Sequence, residues 1–236
     1  MFFPKLPILL YHSINDKHHS DFNIVEFDNQ LSYLKSKGYK SIFLDEFNPN
    51  EKKQVIFTFD DGYKDNIVNV LPILKKYSFK AICFIVSNHI GKYNVWDINK
   101  KNYNKKELMN NNDIKEWINN GMSIGSHTHN HLDLTKITQK EIKVEISLSK
   151  KILEDNFSKP ILDFCYPFGK KNFEVYHEVK KLYKSAFTTN RSRYQFNKHD
   201  QYLIPRVDMG KKLNKFKIFL KLNTYYEDIK FYKNEI

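Results

Sequence analysis

The composition of the 236-residue chain excludes a disordered protein and a membrane-spanning one. Hydrophobic residues make up 41% and aromatic residues 15% of the sequence, enough for one sizeable core, whereas no apolar run approaches the roughly 20 residues that a transmembrane helix needs. The formal net charge is +12, but the lysines are scattered over polar positions of amphipathic segments, which indicates a solvated surface rather than a nucleic-acid site.

The first half of the chain alternates short apolar runs with amphipathic stretches. In chain order it predicts a strand at residues 8–11, a helix at 25–37, a strand at 55–59, a helix at 66–77 and a strand at 81–86. Gly38 is suited to end the first helix. Pro72 is compatible with the second helix only near a turn or a kink.

The second half repeats the alternation. It predicts a helix at 113–120, a strand at 122–126, a helix that begins after Thr138, a strand at 161–166, a helix at 173–183 and strands at 185–188 and 203–207. Thr138 is a suitable N-cap because Glu141 follows three residues later. Repeated strand-then-helix units indicate an α/β protein with a mainly parallel sheet, open or closed into a barrel, and a single domain over residues 1–236.

Two segments fit this alternation poorly. Residues 87–112 are rich in Asn, Lys and aromatic side chains, and indicate either a lid or binding loop or a disordered insertion. Residues 211–221 combine lysines with apolar side chains at helical spacing. This basic C-terminal helix is either an ordinary surface helix or a peripheral contact with an anionic surface.

Cys83 and Cys165 both lie in apolar, strand-like runs. A free cysteine behaves there as a small hydrophobe, so we expect two buried thiols, although the sequence leaves a disulfide open. The N-terminal residues have no basic region leading into a long apolar stretch and no small-residue cleavage site. For the sequence as written we therefore expect a cytoplasmic location.

Two adjacent carboxylates, Asp60 and Asp61, follow the predicted strand at 55–59 in the sequence Thr-Phe-Asp-Asp-Gly. Because the carboxyl ends of strands gather active-site groups in α/β folds, both are expected in a partly buried site. There they would repel each other unless a cation or hydrogen bonds offset the charge. A turn that only caps a helix can have the same sequence, so this motif alone does not define a site.

Three histidines at alternate positions, His127, His129 and His131, follow the predicted strand at 122–126. Neutral imidazole is the commonest protein metal ligand, and a metal site requires clustered ligands. In an extended chain all three would share a face, whereas in a helix His127 and His131 would share one. Together with the carboxylates, they predict a three-ligand metal site with an open position for water, which suits hydrolysis at neutral pH.

These motifs resemble those of the polysaccharide deacetylase family, the NodB-homology proteins of carbohydrate esterase family 4. Residues 58–62 resemble the family's Thr-Phe-Asp-Asp-Gly signature, residues 127–131 match its His-Ser/Thr-x-x-His motif, and residues 163–169 resemble its third motif. Residues 10–14 are similar to the start of many members. The resemblance covers the core of the chain, residues 5–210, and implies a distorted (β/α)7 barrel of the NodB type.

The resemblance also implies a role for each matching residue. Asp61, His127 and His131 would bind a divalent metal, with zinc expected first and cobalt, nickel, iron or manganese left open. Asp60 would be the general base. The backbone N–H of Tyr166 would help to bind the tetrahedral oxyanion.

The sequence departs from the family pattern in two places. The third motif carries no Arg near Asp163 to orient the base, and Arg206 stands where the fifth motif has a His as general acid. A guanidinium donates a proton poorly but pairs well with a carboxylate, so we expect Arg206 to pair with Asp60 and to replace the missing Arg. The general acid is then expected to be His12 or, as a second choice, His129; a purely structural role for His12 stays open.

The leading hypothesis is a metal-dependent hydrolase that removes N-acetyl groups from amino sugars in a polysaccharide, an oligosaccharide, or a lipid- or nucleotide-linked precursor. One alternative keeps the fold and metal but acts on a small non-peptide C–N bond. Another is a non-catalytic glycan-binding module, which would have no need of a base beside a metal. The sequence has no nucleic-acid-binding motif, so the expected partner is an N-acetylated glycan or glycan precursor.

Overall fold

Strands and α-helices alternate along the chain in the computed structural model, which describes residues 5–16, 22–101, 103–210 and 213–230. Within these ranges the strands are β1 (Ile8–Tyr11), β2 (Lys40–Ser41), β3 (Gln54–Phe59), β4 (Ala81–Ile85), β5 (Ser123–Ser126), β6 (Asp163–Cys165), β7 (Ser185–Arg191) and β8 (Ile204–Asp208). The α-helices are α1 (Ile24–Ser36), α2 (Leu71–Tyr77), α3 (Asn111–Asn119), α4 (Gln139–Phe157), α5 (Phe173–Leu182) and α6 (Lys215–Asn223).

The parallel sheet closes on itself. Strand β1 pairs with β3 on one side and with β8 on the other, so that β1 and β3 to β8 form a seven-stranded barrel, while the two-residue β2 extends β3 outside the ring. The barrel is distorted, because β5 and β6 share the single register pair Ser126 and Phe164, and β7 carries an irregularity between Phe187 and Arg191. The expected distorted (β/α)7 barrel is confirmed.

Two apolar clusters lie on the two sides of the barrel wall. The smaller cluster fills the interior with alternate strand residues such as Ile56 and Ile204, whereas Phe57 and its neighbours on the outer face pack against the helices. Since side chains alternate along a strand, the positions that continue this inner layer are two and four residues further on. Asp60 and Arg206 thereby enter the carboxyl end of the barrel, and both are buried.

The predicted helix at residues 66–77 is divided into two parts. Residues Asn66–Val70 form a π-helical turn, and α2 begins after it, with Pro72 in its first turn. A proline is tolerated there because the N–H groups of the first turn have no partner within the helix. The sequence expectation that Pro72 requires a turn or kink is therefore met by a change of helix type.

The segment of residues 87–112 is folded over the carboxyl end of the barrel in the part that the structure describes. Isolated antiparallel bridges join Tyr93 to Glu107 and Tyr63 to Leu108, and short 3-10 turns occupy Ser87–His89 and Val95–Asp97. The alternative of a disordered insertion is wrong for these residues, because backbone hydrogen bonds tie them to Gly62 and Lys64 in the loop after β3 and to one another.

Helix α6 packs Ile218 and Leu222 into the core, while Phe216 and Phe219 are exposed. Lys211 and Lys212, which the sequence analysis included in this basic segment, lie outside the described residues. A contact of this helix with an anionic surface stays a prediction. Among the described helices, none combines the length and apolar character that crossing a bilayer requires.

Candidate active site

The predicted metal ligands meet at the carboxyl end of the barrel. Asp61 follows β3, and His127 and His131 follow β5, and all three are buried. His127 Nε2 lies 3.4 Å and His131 Nε2 lies 3.2 Å from Asp61 Oδ1. One ligand atom from each residue lies within 4.8 Å of the other two. The backbone turns after two separate strands thus aim two imidazoles at the same carboxylate.

The hydrogen bonds around His127 leave its second ring nitrogen facing Asp61 without a proton unless one is added. His127 Nδ1 lies 2.7 Å from the carbonyl oxygen of Cys165, so Nδ1 must carry the proton and donate it. In the neutral ring Nε2 is then an acceptor that faces another acceptor, the Asp61 carboxylate. Either a second proton or a metal ion must lie between them, and carboxylate plus imidazole is a donor set that suits zinc and similar divalent ions.

The pKa values of the three candidate ligands are shifted by burial and by their contacts with one another. Burial alone would raise the pKa of Asp61, but hydrogen bonds with His127 and His131 lower it well below its ordinary value. Burial lowers the pKa of His131. In His127 burial acts in the same direction, but its contacts with Cys165 and Asp61 raise the pKa well above the usual value. A positive charge is therefore favoured on His127, between the Cys165 carbonyl and Asp61, and disfavoured on His131.

The loop that carries the histidines has a strained but well-supported backbone. Thr128 and His131 have φ of 68° and 59°, and Asp61 has φ of 75°, a region that non-glycine residues adopt at a cost of order 1–3 kcal/mol. The Thr128 hydroxyl accepts a hydrogen bond from the His131 N–H (3.0 Å). Backbone strain at two candidate ligands and at Thr128 between the histidines is typical of a functional site whose surroundings hold it in place.

Glu145 anchors the same loop from below and was not identified by the sequence analysis. Its carboxylate accepts hydrogen bonds from the backbone N–H (2.8 Å) and the side-chain amide (2.5 Å) of Asn130, and its carbonyl oxygen accepts one from the His129 N–H. Glu145 is 4% exposed. A signal was present, because an acidic residue stands among the inward-facing positions of α4, beside Ile142 and Ile146.

The expected pair between Arg206 and Asp60 is confirmed. The guanidinium donates two hydrogen bonds of 2.7 Å, one from Nη1 to Oδ1 and one from Nη2 to Oδ2. Arg206 also donates to the Thr188 carbonyl oxygen (2.8 Å) and lies 3.1 Å from Cys165 Sγ. Burial would raise the pKa of Asp60, but the charge and hydrogen bonds of Arg206 lower it. Asp60 is thereby kept as an oriented carboxylate beside the candidate metal ligands.

Of the two histidines considered as general acid, one lies at the site. His12 follows β1, its side chain is 51% exposed, and its Nε2 lies 3.8 Å from Asp60 Oδ2. His129 turns away from the ligand cluster, since its Nδ1 lies 2.9 Å from Ser87 Oγ. Burial lowers the pKa of His129.

The expectation for Tyr166 is corrected by the structure. Its backbone N–H donates to the Phe187 carbonyl oxygen (3.1 Å) in continuation of the β6–β7 ladder, and its buried hydroxyl donates to the Tyr202 carbonyl oxygen (3.1 Å). Neither group is available to an oxyanion. The turn at the site begins one residue later, at Pro167–Gly169, where Phe168 has φ of 59° and its ring lies 4.7 Å from that of His131.

One cavity adjoins His12, and a second shares a lining residue with the first. One, with a volume of about 280 Å³, is lined by His12, Tyr63, Lys106 and Asp208, among others. The second, of about 460 Å³, is lined by Lys106 together with Tyr93 and Lys105. Lys106 lines both cavities, whereas none of Asp60, Asp61, His127 and His131 is among the residues that line either of them.

The fold and the site define the class of protein: an α/β barrel with an Asp-Asp loop after β3 and a histidine loop after β5. Residues 47–186 match the sequence profile described as polysaccharide deacetylase, which is more than half of the chain. The chain belongs to the polysaccharide deacetylase family.

Individual relatives agree with this assignment. YxkH of Bacillus subtilis, itself assigned provisionally to the polysaccharide deacetylases, is 34% identical over 78% of this chain and 64% of its own length. A poly-beta-1,6-N-acetyl-D-glucosamine N-deacetylase of Staphylococcus aureus is 29% identical over 77% of this chain and 65% of its own. The chain therefore spans slightly less than two thirds of these curated relatives.

A solved structure shows the same fold. The crystal structure of BA0330 from Bacillus anthracis, also assigned provisionally as a polysaccharide deacetylase, has a TM-score of 0.81 and is 27% identical to this chain. The match covers 94% of this chain and 70% of that one.

Proposed function

We propose that this protein is a metal-dependent N-deacetylase that acts on N-acetylated amino sugars of a glycan or glycan precursor. The observation that carries the proposal is the position of Asp60, which Arg206 holds by two hydrogen bonds within 4.8 Å of a His127 ring nitrogen. An oriented carboxylate beside a carboxylate and two imidazoles has the parts that hydrolysis of an amide requires.

Asp61, His127 and His131 would hold the metal ion, for which zinc is the first candidate and cobalt, nickel, iron or manganese are alternatives. When bound, the ion would polarise the acetamide carbonyl and favour deprotonation of water. The support for this part is the donor set and the two facing acceptors of His127 and Asp61. The family assignment supports it independently.

The protein's own groups would move the protons. Asp60 would accept the proton of the water that attacks the carbonyl carbon, because its pKa is lowered and it is ionised at neutral pH. His12 would donate a proton to the nitrogen as the C–N bond breaks, which releases the free amine and acetate. Their separation of 3.8 Å supports the proposal, since both groups would be within reach of one bound amide.

A backbone N–H would help to bind the oxyanion, and we assign this role to Phe168 instead of Tyr166. In the part of the chain that the structure describes, the Phe168 N–H has no hydrogen-bond partner, and its ring contacts that of His131. Gly169 is required in the same turn, because a Cβ there would lie 2.0 Å from Thr189 Oγ1 and φ is +68°. A donor of this kind is worth about 3–4 kcal/mol in the transition state.

The substrate is proposed to be longer than one sugar. The cavity beside His12 and the one beside Tyr93 share Lys106, so an extended chain could lie along both. The Staphylococcus aureus relative is named for a polymer of N-acetylglucosamine, which makes N-acetylglucosamine oligomers the natural first substrates. Hydrolysis of a small C–N bond would not use the second cavity.

The test is an acetate-release assay on N-acetylglucosamine oligomers of one to six sugars. Metal-stripped protein is compared with protein given zinc or cobalt, and Asp60→Asn serves as the variant that keeps shape but cannot accept a proton. We expect metal-restored release that rises with chain length and is lost in Asp60→Asn. If metal binds but no acetylated glycan yields acetate, the glycan substrate is wrong.

A further inference from the structure

The two candidate imidazole ligands are held in different ways. His127 Nδ1 donates to the Cys165 carbonyl oxygen, which fixes both the tautomer and the ring plane. His131 Nδ1 is buried and has no hydrogen-bond partner among the described residues. Metal-binding histidines almost always have such a partner, so the His131 ring must be oriented by something else.

Aromatic rings take the place of that hydrogen bond. The Trp96 indole lies against the His131 imidazole with ring centroids 4.5 Å apart and planes inclined by 31°. Phe168 meets the same ring at 4.7 Å and 72°, nearly edge-on. Contacts of these distances and angles are favourable for aromatic pairs, and together they restrict rotation of the imidazole about its side-chain bonds.

The Trp96 turn is itself anchored. Asn94 is 2% exposed, and it ties the 3-10 turn at Val95–Asp97 to the returning chain. Its side-chain amide donates to the Asn104 carbonyl oxygen (3.1 Å), and its side-chain oxygen accepts from the Lys106 N–H (2.7 Å). His89 packs edge-on against the indole at 5.4 Å. A loop built only of short 3-10 turns and isolated bridges thus presents one side chain in a fixed place.

We infer that Trp96 is a positioning residue for His131, which sets the affinity of the site for its metal. This inference rests on the proposed metal site and assigns to the segment of residues 87–112 a role beyond covering the barrel end. Trp96 acts through the His131 ring and takes no part in proton transfer. Losing the partner that orients a metal-binding histidine commonly weakens metal affinity 10- to 100-fold, and a ring contact should lie near the lower limit.

The experiment measures metal binding directly, by chelator competition with cobalt and zinc on the metal-stripped full chain. Trp96→Ala and Asn94→Ala are expected to bind about 10-fold more weakly than the unaltered protein. Trp96→Phe, which retains a ring, should recover most of the affinity. Ile98→Ala is the matched control, because Ile98 directly follows the turn and is 59% exposed; it should bind normally.

A second readout uses fluorescence. The chain has two tryptophans, and Trp117 is fully buried against Phe59. Because the Trp96 ring lies 4.5 Å from that of His131, bound cobalt should quench Trp96 emission, and Trp96→Phe should remove that part of the quenching. The quenching measurement does not depend on a change in metal affinity. It therefore remains informative if Trp96→Ala folds poorly, and a thermal unfolding curve of that variant would show whether it does.

The outcomes separate the inference from the proposed function. If Trp96→Ala and Asn94→Ala fold normally and bind metal as tightly as the unaltered protein, Trp96 has no positioning role, although the metal site stands. If the unaltered protein binds no metal, or if Asp61→Asn leaves its metal binding unchanged, the metal site is wrong and the inference about Trp96 is wrong with it.

Discussion

Arg206 and Asp60 form a bidentate ion pair inside the barrel. Both hydrogen bonds measure 2.7 Å, and the two side chains are 0% and 3% exposed. The guanidinium occupies the interior layer above Phe84, a position that an aliphatic side chain would otherwise fill. Two charges in such a place are costly to desolvate, and their attraction repays this cost only while both partners remain. The pair is therefore a point where stability and the candidate active site depend on the same contact.

Removing Arg206 alone should strongly destabilise the protein. Arg206→Met leaves the Asp60 carboxylate buried without its partner, and we expect a loss of about 3–5 kcal/mol in the free energy of unfolding. The double variant Asp60→Leu/Arg206→Met removes both charges and should recover much of that loss. Urea unfolding of the two variants measures the difference, and a loss below about 1 kcal/mol in Arg206→Met would contradict the role given to the pair.

The same pair predicts how activity depends on pH. Burial raises the pKa of Asp60, while Arg206 more than offsets this and leaves it below its ordinary value. The stabilisation from the ionised Asp60 is thus present above the unfolded-state pKa, near 4, and is lost as pH falls through the lower folded pKa. In Arg206→Gln burial is opposed only by the smaller effects of His12 and His127, so the acid limb of the kcat/KM profile should move to higher pH. An unmoved limb would mean that Asp60 is not the group that must be ionised.

Metal binding should be visible as stability. An ion that binds the folded chain at about 100 times its Kd adds roughly 2.7 kcal/mol, which for a chain of this size raises Tm by about 5–10 °C. Zinc added to the metal-stripped protein should produce this shift, and Asp61→Asn or His127→Gln should abolish it. A shift that persists in both variants would place the ion elsewhere.

The barrel strands and the ligand set could be predicted from the sequence because each is local. The strands are short apolar runs separated by helices, and the ligands stand at the end of two such runs. The Arg206 partner of Asp60 was also predictable, because a buried carboxylate after a strand needs a cation and the missing family Arg left few candidates. Even its placement follows the two-residue period of β3 and β8.

The sequence could not determine features that depend on non-local pairing. The backbone N–H of Tyr166 already donates a hydrogen bond within the β6–β7 ladder, which continues one residue beyond β6. The length of such a ladder cannot be read from the local sequence. Trp96 reaches His131 through bridges between separate parts of an aperiodic segment. Glu145 is different, because its place on the buried face of α4 could have been read as an acidic group in need of partners.

Glu145 provides a test of the loop that carries the histidines. Glu145→Ala removes two hydrogen bonds from Asn130 and leaves two half-buried donors without this partner, so we expect a destabilisation of about 1–3 kcal/mol together with weaker metal binding. Glu141→Ala on the same helix is the matched control, since this exposed residue only completes the cap with Thr138. Its effect should be confined to stability, at about 0.5–1 kcal/mol. Equal metal affinities in both variants would separate Glu145 from the site.

The role of His12 can be separated from that of Asp60 by what each variant retains. His12 is half-exposed and lies 3.8 Å from Asp60, and it contacts none of the three candidate ligands in the described hydrogen-bond and ion-pair network. His12→Gln should therefore bind metal normally and keep its Tm, yet lose about 10²- to 10⁴-fold in kcat, the range that general acid catalysis contributes. The ring of His129 is hydrogen-bonded to Ser87 and turned away from the site. His129→Gln should therefore keep a kcat within about threefold of the unaltered protein. The choice of acid would be reversed if the His129 variant lost more activity than the His12 variant, because proton donation to the leaving amine requires the donor to reach the reacting nitrogen.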